Sequence, residues 1–282
     1  MVTLVEEHAC YEGVQRIYTH QSVTIGLPMR FSVYLPPQAA TRAVPGLFYL
    51  AGLTCTEETF PIKAGAQRLA AQYGLALISP DTSPRGANIT GESESWDFGV
   101  GAGFYVDATQ EPWCRHWRMY SYVLSELRVA VTTALPIDCD RLGIFGHSMG
   151  GHGALVLALR NPEIYRSVSA FAPIAAPTRC PWGEKALLGY LGNDRQAWNE
   201  YDASKLVTRA THRFEDGILI DQGLADQFLP NQLNPDAFEV ACREANQPLL
   251  LRRHKGYDHG YFFIQTFIED HLAHHAMVLS RP

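Results

Sequence analysis

Hydrophobic and polar positions follow two different rhythms along this chain. In the opening third they alternate, as in Ser22-Val23-Thr24-Ile25 and Arg30-Phe31-Ser32-Val33-Tyr34-Leu35. A period of two predicts half-buried strands. Gly26-Leu27-Pro28-Met29 supplies a turn between them, and Pro36-Pro37 ends the second. Beyond this point short continuous apolar runs take over, at 46–51, 75–79, 141–145, 167–171, 217–220 and 249–252. Runs without alternation suit strands covered on both faces. Helical periodicity falls between them, near 60–73, 115–134, 149–160, 235–246 and 260–277. Strands alternating with helices imply parallel crossover units. The pattern as a whole predicts an α/β fold. Its central sheet is mostly parallel, with helices on both faces and an antiparallel N-terminal part.

Two stretches break the rhythm. Residues 81–114 interleave Gly86, Gly91, Gly99, Gly101 and Gly103 with Trp96, Phe98, Phe104, Tyr105 and Trp113. Residues 173–200 carry Pro177, Pro181, Trp182 and Gly183. Long irregular insertions of this kind are more often functional or interfacial than filler. Neither a repeat nor a linker divides the chain, so residues 1–282 read as a single domain.

Composition adds boundaries. Apolar residues make up 46% and charged residues 18%, ordinary for a globular protein. A net charge of −6 and scattered basic residues argue against nucleic acid as a partner. No apolar window approaches a membrane span, and Met1-Val2-Thr3-Leu4-Val5-Glu6-Glu7 has no signal-peptide pattern. The expected compartment is the cytoplasm. The six cysteines lack a C-x-x-C pair and read as free thiols, most of them buried. Neither H-E-x-x-H nor a Cys/His ligand cluster is present, so no metal is expected.

Gly146-His147-Ser148-Met149-Gly150 is a G-x-S-x-G match. An apolar run enters it and a helical stretch leaves it, the strand–turn–helix context of the nucleophile elbow in α/β-hydrolases. Ser148 is therefore the expected nucleophile. In that fold the acid and then the base follow the serine in the chain. Asp221 and Asp226 compete as the acid. Asp221 ends a strand, whereas Asp226 lies in the following loop, from which a carboxylate can reach a histidine. Asp226 is preferred, with Asp221 read as a strand-end residue bonded to nearby backbone.

Among 11 histidines, His259 follows the last strand and precedes the last helix, where the base should stand. His271, His274 and His275 read as solvated on that helix. His254, at a strand end, stays ambiguous. His147 and His152 adjoin the elbow and read as packing or pocket wall. The oxyanion hole needs two backbone N–H donors. Met149 follows the nucleophile, and Leu53 lies in the early loop Gly52-Leu53-Thr54-Cys55-Thr56-Glu57.

Nearly the whole chain resembles one family, the S-formylglutathione hydrolases, also called esterase D. The segments that carry the resemblance are 52–60, Pro80-Asp81-Thr82-Ser83-Pro84-Arg85-Gly86, 146–154, Asp221-Gln222-Gly223 with Asp226 and Phe228, and Gly256-Tyr257-Asp258-His259. The resemblance implies a cofactor-free thioesterase that cleaves S-formylglutathione to glutathione and formate in formaldehyde detoxification. Small aryl esters are an implied side activity, and a homodimer the implied assembly. It assigns catalysis to Ser148, Asp226 and His259. Gly260-Tyr261-Phe262 departs from the Ser-Tyr common after the base. Cys55 reads either as a wall of the acyl pocket or as a buried bystander. Trp182 reads as pocket wall or as a core aromatic. A broad carboxylesterase and an acyltransferase share every one of these residues. A non-catalytic module should have lost one of the three, and none is missing.

Overall fold

Among the described residues, 2–281 of the computed structural model, nine strands form one sheet in the order β1-β2-β3-β5-β4-β6-β7-β8-β9. They are β1 (Val2–Cys10), β2 (Gly13–Gln21), β3 (Pro28–Leu35), β4 (Val44–Leu50), β5 (Ala76–Pro80), β6 (Ile137–His147), β7 (Tyr165–Phe171), β8 (Ile218–Gly223) and β9 (Leu249–His254). The first three pair antiparallel, and β3 pairs antiparallel with β5. Every later pairing is parallel. The expected sheet is thus present. β5 and β8 are buried at every position, which is why they read as continuous apolar runs.

The main helices are α1 (Gln67–Tyr73), α2 (Arg128–Ala134), α3 (Met149–Arg160), α4 (Pro181–Leu191), α5 (Ala203–Arg209), α6 (Pro235–Glu244) and α7 (Tyr261–Leu279). In α3 every residue from Met149 to Leu159 is buried, so the helix is interior and not amphipathic. The single helix expected over 60–73 is two. Gly65, at φ +65°, separates Thr59–Lys63 from α1.

The strand expected at Ser22–Ile25 is instead a turn. Glu126 accepts from the Ser22 hydroxyl (2.6 Å) and from the N–H groups of Val23 (2.7 Å) and Thr24 (2.9 Å). A carboxylate more than a hundred residues away satisfies these donors, so the segment has no need of a neighbouring strand. Alternation over four residues could not register that contact. The real first hairpin, β1 and β2, lies upstream, and β1 is an exposed edge. Of the cysteines, Cys180 and Cys242 are buried, Cys139 is exposed and the other three are intermediate. The expectation that most are buried fails: Cys10 ends the exposed β1, Cys139 lies on the surface stretch of β6, Cys114 sits in the short helix Trp113–Arg115 with no buried residue, and Cys55 lies in the loop after β4.

The two irregular stretches pack on each other. Phe98 stacks on Tyr190 of α4 (4.4 Å) and meets Trp113 edge-on (4.9 Å). The Tyr190 hydroxyl accepts from Gly99 N (2.9 Å) and donates to Ala102 O (2.8 Å).

The C-terminal helix is docked by polar groups as well as apolar ones. His271 and His275 are fully buried, contrary to the solvated reading, and His274 is largely shielded. A ladder joins them to the sheet. The Ser167 hydroxyl lies 2.7 Å from His275 Nδ1, and His275 Nε2 lies 2.8 Å from Ser169 Oγ. Ser169 Oγ in turn lies 2.8 Å from His271 Nδ1, and His271 Nε2 is 3.2 Å from Asp221. With both imidazoles neutral, one run of donors from Ser167 to the Asp221 carboxylate satisfies every member. Burial holds both histidines below their ordinary pKa, consistent with that state.

Asp221, itself fully buried, takes two hydrogen bonds from Arg252 (2.6 and 2.5 Å) and one from His254 (3.1 Å). Burial opposes its charge. Hydrogen bonds from His271, Arg252 and His254 outweigh that and hold the carboxyl well below the usual range. This contribution is full at neutral pH and is lost as pH falls below the ordinary carboxylate range toward that depressed value. Asp221→Asn should therefore cost about 1.5–3 kcal/mol at pH 7, the scale of lost hydrogen bonds to a charged group, with Asp270 left as the carboxylate partner of Arg252. Urea denaturation should show the gap to the parent narrowing as pH falls toward 3.

Candidate active site

Ser148 sits where β6 turns into α3, with φ 57° and ψ −118°, a conformation L-residues rarely adopt. Its N–H donates to Phe171 O (3.0 Å), and its carbonyl accepts from His152 N (3.0 Å) and Ile174 N (3.2 Å). Strand β7 and the start of the helix thus clamp the turn on both sides. The flanking glycines are obligatory for lack of space. A Cβ on Gly146 would stand 2.3 Å from Gly150 O, and one on Gly150 would stand 1.9 Å from Leu50 O. The end of β4 therefore lies directly against the elbow. Two residues beyond Leu50, a Cβ on Gly52 would stand 3.2 Å from that of Ser148. The loop that carries Leu53 consequently borders the serine. Thr54, in the left-handed region at φ 67°, anchors that loop by donating to Gly101 O (2.9 Å).

Asp226 and His259 meet across the loops that follow β8 and β9. His259 Nδ1 lies 2.5 Å from Asp226 Oδ2. The loops are joined by Leu224 N donating to His254 O (2.9 Å) and Ala225 N donating to Tyr257 O (2.9 Å). A Cβ on Gly223 would stand 2.4 Å from Tyr257 O, so the crossing admits only glycine. Asp226 Oδ1 accepts from Phe228 N (2.8 Å), and Oδ2 also accepts from Gln222 Nε2 (3.2 Å). The Asp226 side chain is wholly buried and that of His259 is 14% exposed, so one ring edge is open to a ligand. His147, next to Ser148, brings the base to the elbow. Its ring lies 4.4 Å from that of His259. Burial first, and the neighbouring His259 second, hold His147 neutral. His152 is likewise neutral, lowered to about 4 by burial, with Nε2 against Phe104 O (3.0 Å).

The remaining candidates separate. Asp221 and His254 belong to the buried cluster described above and not to this site. The partners of Asp221 are side chains, not the backbone amides expected of a strand end. His116 Nδ1 lies 2.7 Å from Ile25 O, and His20 packs on Tyr122. Asp138, Cys139 and Asp140 could group around an ion, but they lie near the opposite end of β6 from Ser148.

Cys55 belongs to the Leu53 loop and lies near Thr59 and Tyr261; burial pushes its thiol up. Tyr261 reaches Tyr49 (3.3 Å) and stands 6.1 Å from the His147 ring. On the other side of His259 lies a cleft of about 390 Å³, lined by Ala225, Gln227, Phe228, Asp258, His259 and Gly260. An aromatic wall leads from it. Phe228 meets His259 edge-on (4.9 Å), Trp182 packs on Phe228 (4.7 Å), and Trp96 packs on Trp182 (5.5 Å). Trp182 thus stands one ring from the histidine. In the sequence Trp96 stands out only as one aromatic of the 81–114 insertion and Gln222 only within the Asp221-Gln222-Gly223 segment, neither with a place in the site. The two adjacent polar residues, Asp221-Gln222, closing an apolar strand were the one available signal.

Fold and site together define a serine esterase of the α/β-hydrolase class. The family model described as "Putative esterase" matches residues 22–274. The chain is 54% identical over 277 residues to mouse (Mus musculus) S-formylglutathione hydrolase, covering 98% of each. It is also 54% identical over 272 residues to the Arabidopsis thaliana enzyme of that name, covering 96% of this chain and 95% of the other. Its backbone matches the solved S-formylglutathione hydrolase of Agrobacterium tumefaciens with a TM-score of 0.95 and 48% identity, over 98% of this chain and 99% of that one. The chain belongs to the S-formylglutathione hydrolase family. Among the described residues no helix is long and apolar enough to cross a membrane.

The contact at Gly150 makes a sharp test of the elbow. Gly150→Ala cannot be relieved by a side-chain rotation, because the obstructing atoms are backbone. It should lower stability by about 1–3 kcal/mol or more, the scale of overpacking, and abolish esterase activity. Thermal melts and aryl-acetate hydrolysis measure both.

Proposed function

We propose that the protein hydrolyses S-formylglutathione to glutathione and formate through a formyl-enzyme on Ser148. The observation that carries this reading is the Asp226–His259 pair, whose imidazole packs 4.4 Å from the ring of His147 next to the strained Ser148, in a chain that matches named S-formylglutathione hydrolases over 98% of its length. In the proposed mechanism His259 takes the Ser148 proton as Oγ attacks the thioester carbonyl. Asp226 holds the imidazole in the required tautomer and stabilises the imidazolium that forms. The N–H groups of Leu53 and Met149 receive the oxyanion, the second reinforced by the N-terminus of α3. Collapse expels the glutathione sulfur, which takes the proton from His259. Water, activated by the same histidine, then releases formate and restores Ser148. None of these steps calls on a cofactor.

Residues 1–282 act as one catalytic domain in this reading, supported by one sheet and one connected hydrophobic core. The protein works in the cytoplasm as a homodimer, in glutathione-dependent formaldehyde detoxification; family resemblance supports these parts. Cys55 and Met149 flank the proposed acyl position, and Trp182 with Phe228 walls the leaving-group side. That aromatic wall also suits small aryl esters as secondary substrates.

Ser148→Ala and Asp226→Asn should each lower kcat by about four orders of magnitude, the scale of triad losses. Their melting temperatures should stay near that of the parent. A folded Ser148→Ala protein within tenfold of parental activity would refute the assignment. A small acyl pocket should also favour formyl over acetyl thioester. The expected ratio of kcat/KM values is about 10- to 200-fold, after scaling by the two uncatalysed rates. Equal scaled values would favour a general esterase.

A further inference from the structure

We infer that Gln222 is a positioning residue for the acid–base pair, holding the Asp226 carboxylate in the orientation that His259 requires. The inference rests on the reading of Ser148, Asp226 and His259 as the catalytic groups.

Gln222 is fully buried at the end of β8. Its Nε2 donates to Asp226 Oδ2 (3.2 Å) and to Gly223 O (3.0 Å). That carboxylate oxygen is the one facing His259 Nδ1. The amide orientation follows from chemistry: both neighbours are acceptors only, so the NH₂ must face them and Oε1 must face away. Among the described residues Oε1 then finds no hydrogen-bond partner. An unpaired buried oxygen is unfavourable, and an apolar side chain of the same size would avoid it. A glutamine here makes sense only through what its donors do.

What they do follows from the surroundings of Asp226. No Arg or Lys pairs with it among the described residues, in contrast to Asp221 five positions earlier. Its charge is held by three donors, namely Phe228 N on one oxygen and Gln222 with His259 on the other. Phe228 N alone leaves the carboxylate free to rotate about that contact. Gln222 adds the second fixed point, on the oxygen that aligns the imidazole. Because Gln222 sits on a strand and not a loop, that point is as rigid as the sheet.

The test uses Gln222→Met, which keeps the volume and removes the donor, and Gln222→Asn, which keeps the amide but shortens its reach. Each is compared with the parent, Ser148→Ala and Asp226→Asn in steady-state kinetics on an aryl acetate and on S-formylglutathione. Proton NMR of the low-field His259 Nδ1–H resonance accompanies the assays. Gln222→Met should lose about tenfold to a hundredfold in kcat with KM within about twofold, the scale of outer-sphere orienting residues. Its low-field resonance should shift or vanish. Gln222→Asn should show the same pattern to a smaller degree, and it decides the matter if the Met protein does not fold. Parental kcat with an unmoved resonance overturns the inference. An equal loss of stability and activity with that resonance unmoved overturns it too, since packing alone would then account for both. If Ser148→Ala or Asp226→Asn stays active, the parent reading has failed, a result distinct from failure at Gln222.

Discussion

The contact on which the rest of the structure depends is the approach of the end of β4 to the elbow between β6 and α3. Leu50 O lies 1.9 Å from where a Cβ on Gly150 would be, and Gly150 O lies 2.3 Å from where a Cβ on Gly146 would be. Two glycines four residues apart let three backbone segments occupy a space that no other residue permits. The serine between them is left at φ 57°, a strain worth about 1–3 kcal/mol. It persists because the flanking structure cannot relax. The helix that follows is buried along its length, and β7 holds the serine N–H through Phe171 O. The same approach carries the Gly52–Leu53 loop to the serine, so the proposed nucleophile and oxyanion donors are set by one packing event.

The proposed acid and base, Asp226 and His259, depend on a second backbone crossing. The loops after β8 and β9 are joined by main-chain hydrogen bonds, and Gly223 is required where they touch. Two aspartates five residues apart are then used differently. Asp221 is surrounded by Arg252, His254 and His271 and anchors the last helix to the sheet. Asp226 is surrounded by amide donors and the ring of His259. A charged partner would compete for the oxygen that must orient the imidazole. Neutral amides stabilise the carboxylate without displacing the histidine.

The irregular insertions complete the site from above. Packing of residues 96–113 against α4 brings Trp96 and Trp182 together, and Phe228 continues the wall to His259. The formation of this wall requires the two excursions to fold together. That coupling explains why so many aromatics and glycines fall in segments without regular periodicity: Gly189, for one, has a ring atom of Phe98 2.4 Å from where its Cβ would be.

Local patterning determined much of this by itself. The buried strands have no polar face, so their apolar runs stood out, and the elbow announced itself through glycine spacing and strand–helix context. Chain order and loop position were enough to prefer Asp226 over Asp221 and His259 over the other histidines; in the fold Asp226 meets His259, while Asp221 meets Arg252, His254 and His271. Other features depend on partners far away in the chain, and only tertiary structure decided them. Val23 and Thr24 form a turn because Glu126 takes their N–H groups. His271 and His275 are buried, not solvated, because Ser167, Ser169 and Asp221 line up beneath the helix that carries them. Gln222 followed the apolar run 217–220 with no partner to be read from its neighbours, and only the fold of Asp226 back over the end of β8 supplied one. A side chain's own sequence neighbourhood records its periodicity and its backbone needs. The partner that satisfies a buried polar atom is chosen by the packing of elements, and that choice is not written locally.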